Sequence, residues 1–246
     1  MMKKNLAVVF PEAKKATLVE LAMPHPGPGE VLIKTSCSMV STGTEMTAFM
    51  GEHLPGSVWE KHFKYPYYPG YNNIGTVVET GNGTDQGLLG KKFATWGNHA
   101  AYSVQKVSNL SPVTRAIPDE HAVFFTIAEI VMNGIRRSRV QWGECVVVYG
   151  LGLLGQFTAR FARLCGARPV LAADISDYRL GLLPEDSGIV KANTLACGDI
   201  GELIRTHNRG GLADVVFEVT GNAALIPSEF AALRTLFDVC AAAGLG

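Results

Sequence analysis

The chain has 246 residues with 22 acidic and 22 basic side chains, so its formal net charge is zero. This balance gives no basic surface for nucleic acid and no polybasic block for a membrane. No apolar run reaches the roughly 18 residues of a membrane-spanning helix, and the N-terminal apolar stretch is too short for a signal peptide. We therefore expect a cytoplasmic protein that acts on a small molecule.

The first 118 residues have the sequence pattern of a β-rich domain. Short apolar runs broken by Gly and Pro predict strands at 6–10, 30–34, 73–80, 92–96 and 101–104. A helix is expected to begin near Glu45, and Ser41, Thr42 and Thr44 are residue types that cap such a helix. The pattern favours a small barrel or a sandwich-like domain.

From residue 119 to residue 246, strands alternate with helices. A helix over 122–137 is expected, with Asp119 as its N-cap. Apolar strands are predicted at 145–149, 169–173 and 213–220, and a helix over 154–165 is closed by Gly166. Strands without polar alternation are buried on both faces, as in parallel sheets. The second domain is therefore predicted to be an α/β, doubly wound Rossmann sheet.

A glycine loop lies where the first of these strands meets its helix. Its residues are Gly150, Leu151, Gly152, Leu153, Leu154 and Gly155. A strand before and a helix after are the context that G-x-G-x-x-G requires. The first glycine permits a tight turn, the second lets a pyrophosphate approach the backbone, and the third lets the helix pack closely. We predict that the loop binds a nicotinamide dinucleotide; the alternative is a glycine-rich turn without a ligand.

Three further residues are predicted to contact this cofactor. Asp174 ends the next strand, where a carboxylate accepts hydrogen bonds from the adenosine ribose and repels a 2′-phosphate. It favours NAD over NADP. Arg179 is the competing feature because it can pair with a 2′-phosphate. Thr220 follows the later strand, at the edge where ligands lie, although Thr220-Gly221-Asn222 is also an ordinary turn.

The cysteines and histidines give no metal pattern. The five cysteines are far apart and none forms a Cys-x-x-Cys pair, which argues against a disulfide framework or a zinc lobe. His53, His62 and His99 have no partner at ligand spacing, and for His99 the alternative is a hydrogen bond at a strand end. We expect no bound metal.

Three segments carry a family resemblance: 26–34, 69–77 and the glycine loop. Together they resemble the medium-chain dehydrogenase/reductase superfamily over nearly the full chain. The resemblance implies a GroES-like catalytic domain followed by a Rossmann coenzyme domain. The run 41–45, Ser-Thr-Gly-Thr-Glu, is similar to a zinc-lacking branch that includes bacteriochlorophyllide 3-hydroxyethyl dehydrogenase.

The resemblance also identifies candidate catalytic residues. Zinc enzymes of the superfamily have a Cys where Ser41 stands, and a His and a Glu where Tyr71 and Asn72 stand. A hydroxyl and an amide are poor zinc ligands, so we expect zinc independence. The superfamily places its proton relay in this region, which implies roles for Ser41, Thr42, Thr44 and Tyr71, with Glu45 as a base if it is partly buried.

The aromatic segment 52–68 could cover a planar or aromatic substrate; the alternative is an insertion packed on the barrel. Superfamily members are longer and dimeric. The chain is expected to end near a fifth strand, with 238–241 a poor strand match, so the Rossmann sheet is expected to be incomplete and the homodimer doubtful. Three functions stay open: an NAD-dependent, zinc-independent dehydrogenase of a secondary alcohol, an NADPH-dependent quinone or enoyl reductase, and a truncated dinucleotide-binding remnant without turnover.

Overall fold

The structure is a computed structural model that describes residues 4–114, 116–185 and 187–234. The chain forms two compact units, Met1–Thr126 and Ile127–Gly246. The division falls a few residues beyond the expected one at 118/119.

The first unit is mostly antiparallel sheet. Strands β1 and β2 form a pair, and the other five form a sheet in the order β6-β3-β4-β5-β7. Val31, Ile33 and Val77 are almost wholly buried and form a core with Phe93. The strands are β1 Asn5–Val9, β2 Thr17–Leu21, β3 Glu30–Ser38, β4 Asn73–Thr80, β5 Lys92–Thr95, β6 Tyr102–Lys106 and β7 Ser111–Pro112; the helices are α1 Thr42–Met50, α2 Val58–His62 and α3 Asp119–Ala122.

Two helix starts differ from the sequence prediction. Helix α1 begins at Thr42, with Ser41 in the N-cap position, and not near Glu45. Helix α3 has Pro118 at its N-cap, so the prediction that Asp119 caps it is wrong. The Asp119 carboxylate instead accepts a hydrogen bond from Lys92 Nζ at 2.5 Å. This contact and the side-chain hydrogen bond with Ser36 lower the pKa of Asp119.

The aromatic segment 52–68 is packed on the first unit. The ring of Phe63 is buried against Phe10 and Ala48, and Tyr65 Oη donates to the Ala48 carbonyl at 2.6 Å. Trp59 stacks on Phe63 at 5.2 Å but is about half exposed. These contacts favour the packed insertion over a free-standing cover.

The second unit is a parallel sheet of four described strands in the order β10-β9-β8-β11. Strand β8 is buried along its whole length between β9 and β11, as its apolar sequence predicts. Because β9 and β11 follow it on opposite sides, the chain reverses direction of winding next to β8. The strands are β8 Val146–Tyr149, β9 Val170–Asp174, β10 Ile189–Asn193 and β11 Val215–Glu218; the helices are α4 Phe125–Ser138, which begins in the first unit, α5 Leu153–Leu164, α6 Asp177–Gly181, α7 Ile200–His207 and α8 Ile226–Ala231.

The order of the two units confirms the predicted fold class, a β-rich unit followed by a Rossmann-type parallel sheet. Within the described ranges, no helix has the length and apolar character needed to cross a bilayer. The segment 238–241 lies outside the described residues.

Candidate functional site

The three glycines of the loop differ in what surrounds them. A Cβ on Gly155 would lie 1.8 Å from the Gly150 carbonyl oxygen, so only glycine lets α5 pack this closely on the turn. Gly150 has φ +90°, and a Cβ there would lie 2.9 Å from Thr220. A Cβ on Gly152 would meet no described atom within 4 Å. The first and third glycines are therefore needed for packing, whereas the second leaves open space beside the backbone.

The N-terminus of α5 fits an anion. Gly152 is its N-cap residue and provides no side chain to accept the N–H groups of the first turn. The exposed N–H groups and the helix dipole together favour a phosphate at this position. Leu153 and Leu154 are more than a third exposed in the first turn, and Leu151 is buried.

The buried carboxylate of Asp174 is hydrogen-bonded to the backbone of the glycine loop. Its carboxylate is 3% exposed, and Oδ2 accepts the Leu151 N–H at 2.6 Å while Oδ1 accepts the Ser176 N–H at 2.8 Å. Arg179 Nη1 lies 3.6 Å from Oδ2, and the Arg179 side chain is half exposed. Sequence reasoning identified both residues but missed the contact that orders the loop.

A cavity of about 560 Å³ lies at the carboxyl ends of β8, β9 and β11. Of the nine residues predicted to bind the cofactor, Gly150, Gly152, Asp174, Arg179 and Thr220 line it. Leu151, Leu153, Leu154 and Gly155 are not part of the lining and serve the turn and the helix. Ligands of open α/β sheets bind at this edge, so the cavity fits a dinucleotide.

Two carboxyl groups meet beside this cavity. Burial raises the pKa of Glu229 to about 7, and the hydrogen bond and charge of Glu218 add to the effect. Burial also acts to raise the pKa of Glu218, but hydrogen bonds from Glu229, Thr220 and Gly221 outweigh it and lower that pKa. The pair joins α8 to the end of β11. No sequence pattern predicts this pair, since the two residues belong to different elements.

In the first unit, the candidate catalytic residues form a hydrogen-bonded group. Tyr71 Oη donates to Ser41 Oγ at 2.5 Å and lies 3.5 Å from Thr44 Oγ1. Ser41 occupies the N-cap position of α1, yet its hydroxyl makes no capping hydrogen bond in this described helix. Thr42 is exposed at the first position of the helix and is not part of the hydrogen-bonded cluster of Tyr71, Ser41 and Thr44. The Ser41 hydroxyl is therefore committed to Tyr71 and not to the helix end.

Glu45 lies beneath this group and is 3% exposed. Oε1 accepts the Ser41 N–H at 2.9 Å, and Oε2 lies 2.8 Å from His99 Nε2. The other ring nitrogen of His99 lies 3.0 Å from Ser38 Oγ. Sequence reasoning treated His99 as a strand-end residue and did not connect it with Glu45.

An exposed indole ring lies beside Tyr71. The ring centroids of Trp96 and Tyr71 are 6.4 Å apart, and Trp96 is 54% exposed. Trp96 also lines an open cavity of about 370 Å³ with Ser108, Asn109 and Ser111. The Tyr71 ring is thus next to a flat, accessible aromatic surface.

The residues at the superfamily's zinc positions do not fit zinc. Ser41 and Tyr71 are hydrogen-bonded to each other, and Asn72 is wholly buried. In the part of the chain that the structure describes, no three His, Cys, Asp or Glu side chains group to hold a metal ion.

Known proteins resemble this chain in sequence and fold, although no protein-family model matches it. L-threonine 3-dehydrogenase of Stenotrophomonas maltophilia is 27% identical over 251 aligned positions, which cover 88% of this chain and 70% of the relative. An alcohol dehydrogenase of Escherichia coli CFT073, solved with NADH, has a TM-score of 0.77 at 17% identity and covers 94% of this chain and 74% of its own.

A dehydrogenase of Sinorhizobium meliloti 1021 that is described as zinc-binding was solved with NADP. It has a TM-score of 0.79 at 20% identity, covering 95% of this chain and 75% of its own. In sequence and in fold the chain is thus similar to medium-chain dehydrogenases/reductases, as its segments 26–34 and 69–77 and the glycine loop predict. The chain is an alcohol dehydrogenase-like oxidoreductase. The predicted likeness to a zinc-lacking branch stays a prediction.

Proposed function

We propose that this protein is an NAD(H)-dependent, zinc-independent oxidoreductase that interconverts a secondary alcohol and its ketone. The observation that carries the proposal is the open backbone at Gly152, at the head of α5 and beside the buried Asp174. A bound nicotinamide dinucleotide supplies hydride transfer. The residues of this chain bind and orient it and handle the proton.

Cofactor binding is assigned to the second unit. Gly150, Gly152 and the first turn of α5 hold the pyrophosphate, and Thr220 borders the same cavity. The Asp174 carboxylate is as buried as that of Glu45 but, unlike it, lines the cavity, and each of its oxygens retains a lone pair beyond its backbone contact, so it can accept a ribose hydroxyl. The same charge disfavours a 2′-phosphate, which supports NAD over NADP. Arg179 is the residue that would support NADP instead.

Proton handling is assigned to Tyr71 and Ser41. Hydride loss from an alcohol carbon requires an acceptor for the hydroxyl proton, and ketone reduction requires a donor. The Tyr71–Ser41 hydroxyl pair at 2.5 Å can relay this proton between the substrate oxygen and water in both directions: as one hydroxyl accepts the proton, the pair releases another from its far side, with Thr44 in reach of Tyr71. Glu45 is 3% exposed and both its oxygens are engaged, so we assign it to holding Ser41 and not to direct proton removal.

The substrate class follows from Trp96. Its exposed ring lies next to Tyr71, so a planar or aromatic alcohol can stack on the indole while its oxygen reaches the hydroxyl pair. A small aliphatic substrate would leave this surface unused.

The test measures binding and turnover separately. NADH and NADPH affinities are measured by fluorescence, and planar and aliphatic secondary alcohols are screened for NAD-linked absorbance change, with metal content assayed. Tyr71→Phe and Ser41→Ala should each lower kcat about a hundredfold without changing NADH affinity. Thr47→Ala is the matched control because its hydroxyl donates only within α1. Tighter binding of NADPH than of NADH would refute the preference for NAD, and near-stoichiometric zinc would refute zinc independence. Full activity in Tyr71→Phe would refute the proton-handling role of Tyr71.

A further inference from the structure

Both ring nitrogens of the buried His99 have a hydrogen-bond partner. Nε2 lies 2.8 Å from Glu45 Oε2 and Nδ1 lies 3.0 Å from Ser38 Oγ, in a ring that is 7% exposed. A carboxylate only accepts hydrogen bonds, so Nε2 carries a hydrogen and donates it to Glu45. The His99 backbone N–H donates to the Pro69 carbonyl at 2.9 Å. The imidazole is thus fixed relative to both the carboxylate and the loop that leads to Tyr71.

The loop before Tyr71 lies directly against the His99 backbone. Gly70 has φ +113°, and a Cβ on it would lie 2.5 Å from the His99 nitrogen. From the other side, Glu45 connects His99 to the backbone N–H of Ser41. Both residues of the Tyr71–Ser41 pair are therefore connected to His99: Tyr71 through the loop at Gly70, and Ser41 through Glu45.

We propose that His99 is a positioning residue for the Tyr71–Ser41 hydroxyl pair and acts on it through Glu45. A buried carboxylate is stable only while its hydrogen bonds are made. Without the imidazole donor, Glu45 Oε2 loses its hydrogen-bond partner and the carboxylate turns to find another donor, so its hold on the Ser41 N–H weakens. Ser41 Oγ then moves relative to Tyr71 Oη. The geometric part stands on the contacts alone, and the consequence for turnover rests on the proposed function.

The geometric part is tested by NMR of the full chain with tyrosine labelled at Cζ with ¹³C. Tyr71→Phe assigns the Tyr71 signal, and its shift reports the hydrogen bond of the hydroxyl. His99→Phe should move this signal in the same direction as Ser41→Ala. His99→Gln keeps an N–H for Glu45 and should leave the signal near its original position. An unmoved signal in His99→Phe would overturn the proposal.

A second variant protects the test against misfolding. Glu45→Gln removes the charge that His99 serves but keeps the side-chain size, so it should move the Tyr71 signal even if His99→Phe fails to fold. His53→Gln is the control, because His53 lies in the 52–68 segment and, among the described residues, makes no hydrogen bond or ion pair with Ser41, Glu45 or Tyr71. A Tyr71 signal that Glu45→Gln leaves unchanged would also contradict the proposal.

Turnover gives the second readout. With a substrate found in the screen above, His99→Phe should lower kcat about tenfold to a hundredfold, while the KM for NAD stays within twofold and His99→Gln restores most of the rate. An unchanged kcat in folded His99→Phe would refute the positioning role. If the unaltered protein turns over no alcohol or ketone, the proposed function fails, and the NMR result alone decides the role of His99.

Discussion

At the scale of single residues, different glycines of the loop serve packing and the proposed cofactor binding. Gly152→Ala adds a methyl group to open space, so the free protein should keep its unfolding midpoint, but the methyl would project where a pyrophosphate approaches. We expect NADH affinity to fall at least about tenfold, a loss of roughly 1.4 kcal/mol. Titration by NADH fluorescence, with thermal unfolding of the free protein, checks this.

Gly155→Ala should behave differently. Its methyl would lie 1.8 Å from the Gly150 carbonyl, so α5 must move away from the turn. Both the unfolding midpoint and NADH affinity should fall, by roughly 1–3 kcal/mol for the stability. Gly134→Ala, within α4 and without a described atom near its Cβ, should raise stability by about 0.5–1 kcal/mol. A Gly155→Ala protein as stable as Gly134→Ala would refute the packing role.

Asp174 holds the glycine loop through the Leu151 N–H, and we propose that its charge also disfavours a 2′-phosphate; one substitution separates the two effects. Asp174→Asn keeps an oxygen for one backbone N–H but removes the charge that disfavours a 2′-phosphate. NADH affinity should fall about tenfold while NADPH affinity falls less, because Arg179 loses its carboxylate neighbour and becomes available to phosphate. The ratio of the two dissociation constants, measured by fluorescence, is the decisive quantity.

At the scale of elements, the Glu218–Glu229 pair joins α8 to β11. The pKa of Glu229 is raised from its ordinary value of 4.5 to about 7 in the folded protein. Between pH 4.5 and pH 7, the folded protein therefore keeps a proton on Glu229 that the unfolded chain has released. The folded state binds more protons between these values, so stability should fall as pH rises from about 4.5 through 7 and then level off. The contribution is on the order of 3 kcal/mol at most.

Glu229→Gln should remove this pH dependence because an amide needs no proton. Glu185→Gln, at a residue that is 92% exposed, is the control and should retain it. Urea unfolding from pH 5 to pH 8 measures both variants. Equal pH slopes in the two variants would show that the pair does not share a proton.

At the scale of the whole molecule, the two units each have their own core, and the cavity proposed to bind the cofactor belongs to the second unit. At about 100 times its dissociation constant, NADH should stabilise the unit that binds it by about 2.7 kcal/mol. Hydrogen exchange of β8 and β9, followed by mass spectrometry, should slow accordingly. Exchange of β8 that is the same with and without saturating NADH would argue against binding at the glycine loop.

Much of this architecture was predictable because it depends on residues that are neighbours in the sequence. The apolar run of β8, the glycines after it and the amphipathic helix α5 are neighbours in sequence, and their order alone predicts a dinucleotide loop. The position of Asp174 at the end of β9 was also predictable from the sequence, whereas its contact with the Leu151 N–H was not, and its role toward a ribose stays a prediction. Strand β2 was missed because most of its side chains are exposed or only half buried, which weakens the apolar alternation. Helix α3 was assigned the wrong N-cap because the Asp119 carboxylate is engaged by Lys92.

Residue periodicity and glycine at fixed spacing are local features, so they were enough to predict the fold class and the candidate cofactor loop. The candidate catalytic group, in contrast, forms only when distant segments come together in the folded chain. Tyr71 is 30 positions from Ser41, and His99 is 54 positions from Glu45. Hydrogen bonds over such separations depend on the pairing of β3 with β4 and on the loops that flank α1, so no local pattern encodes them.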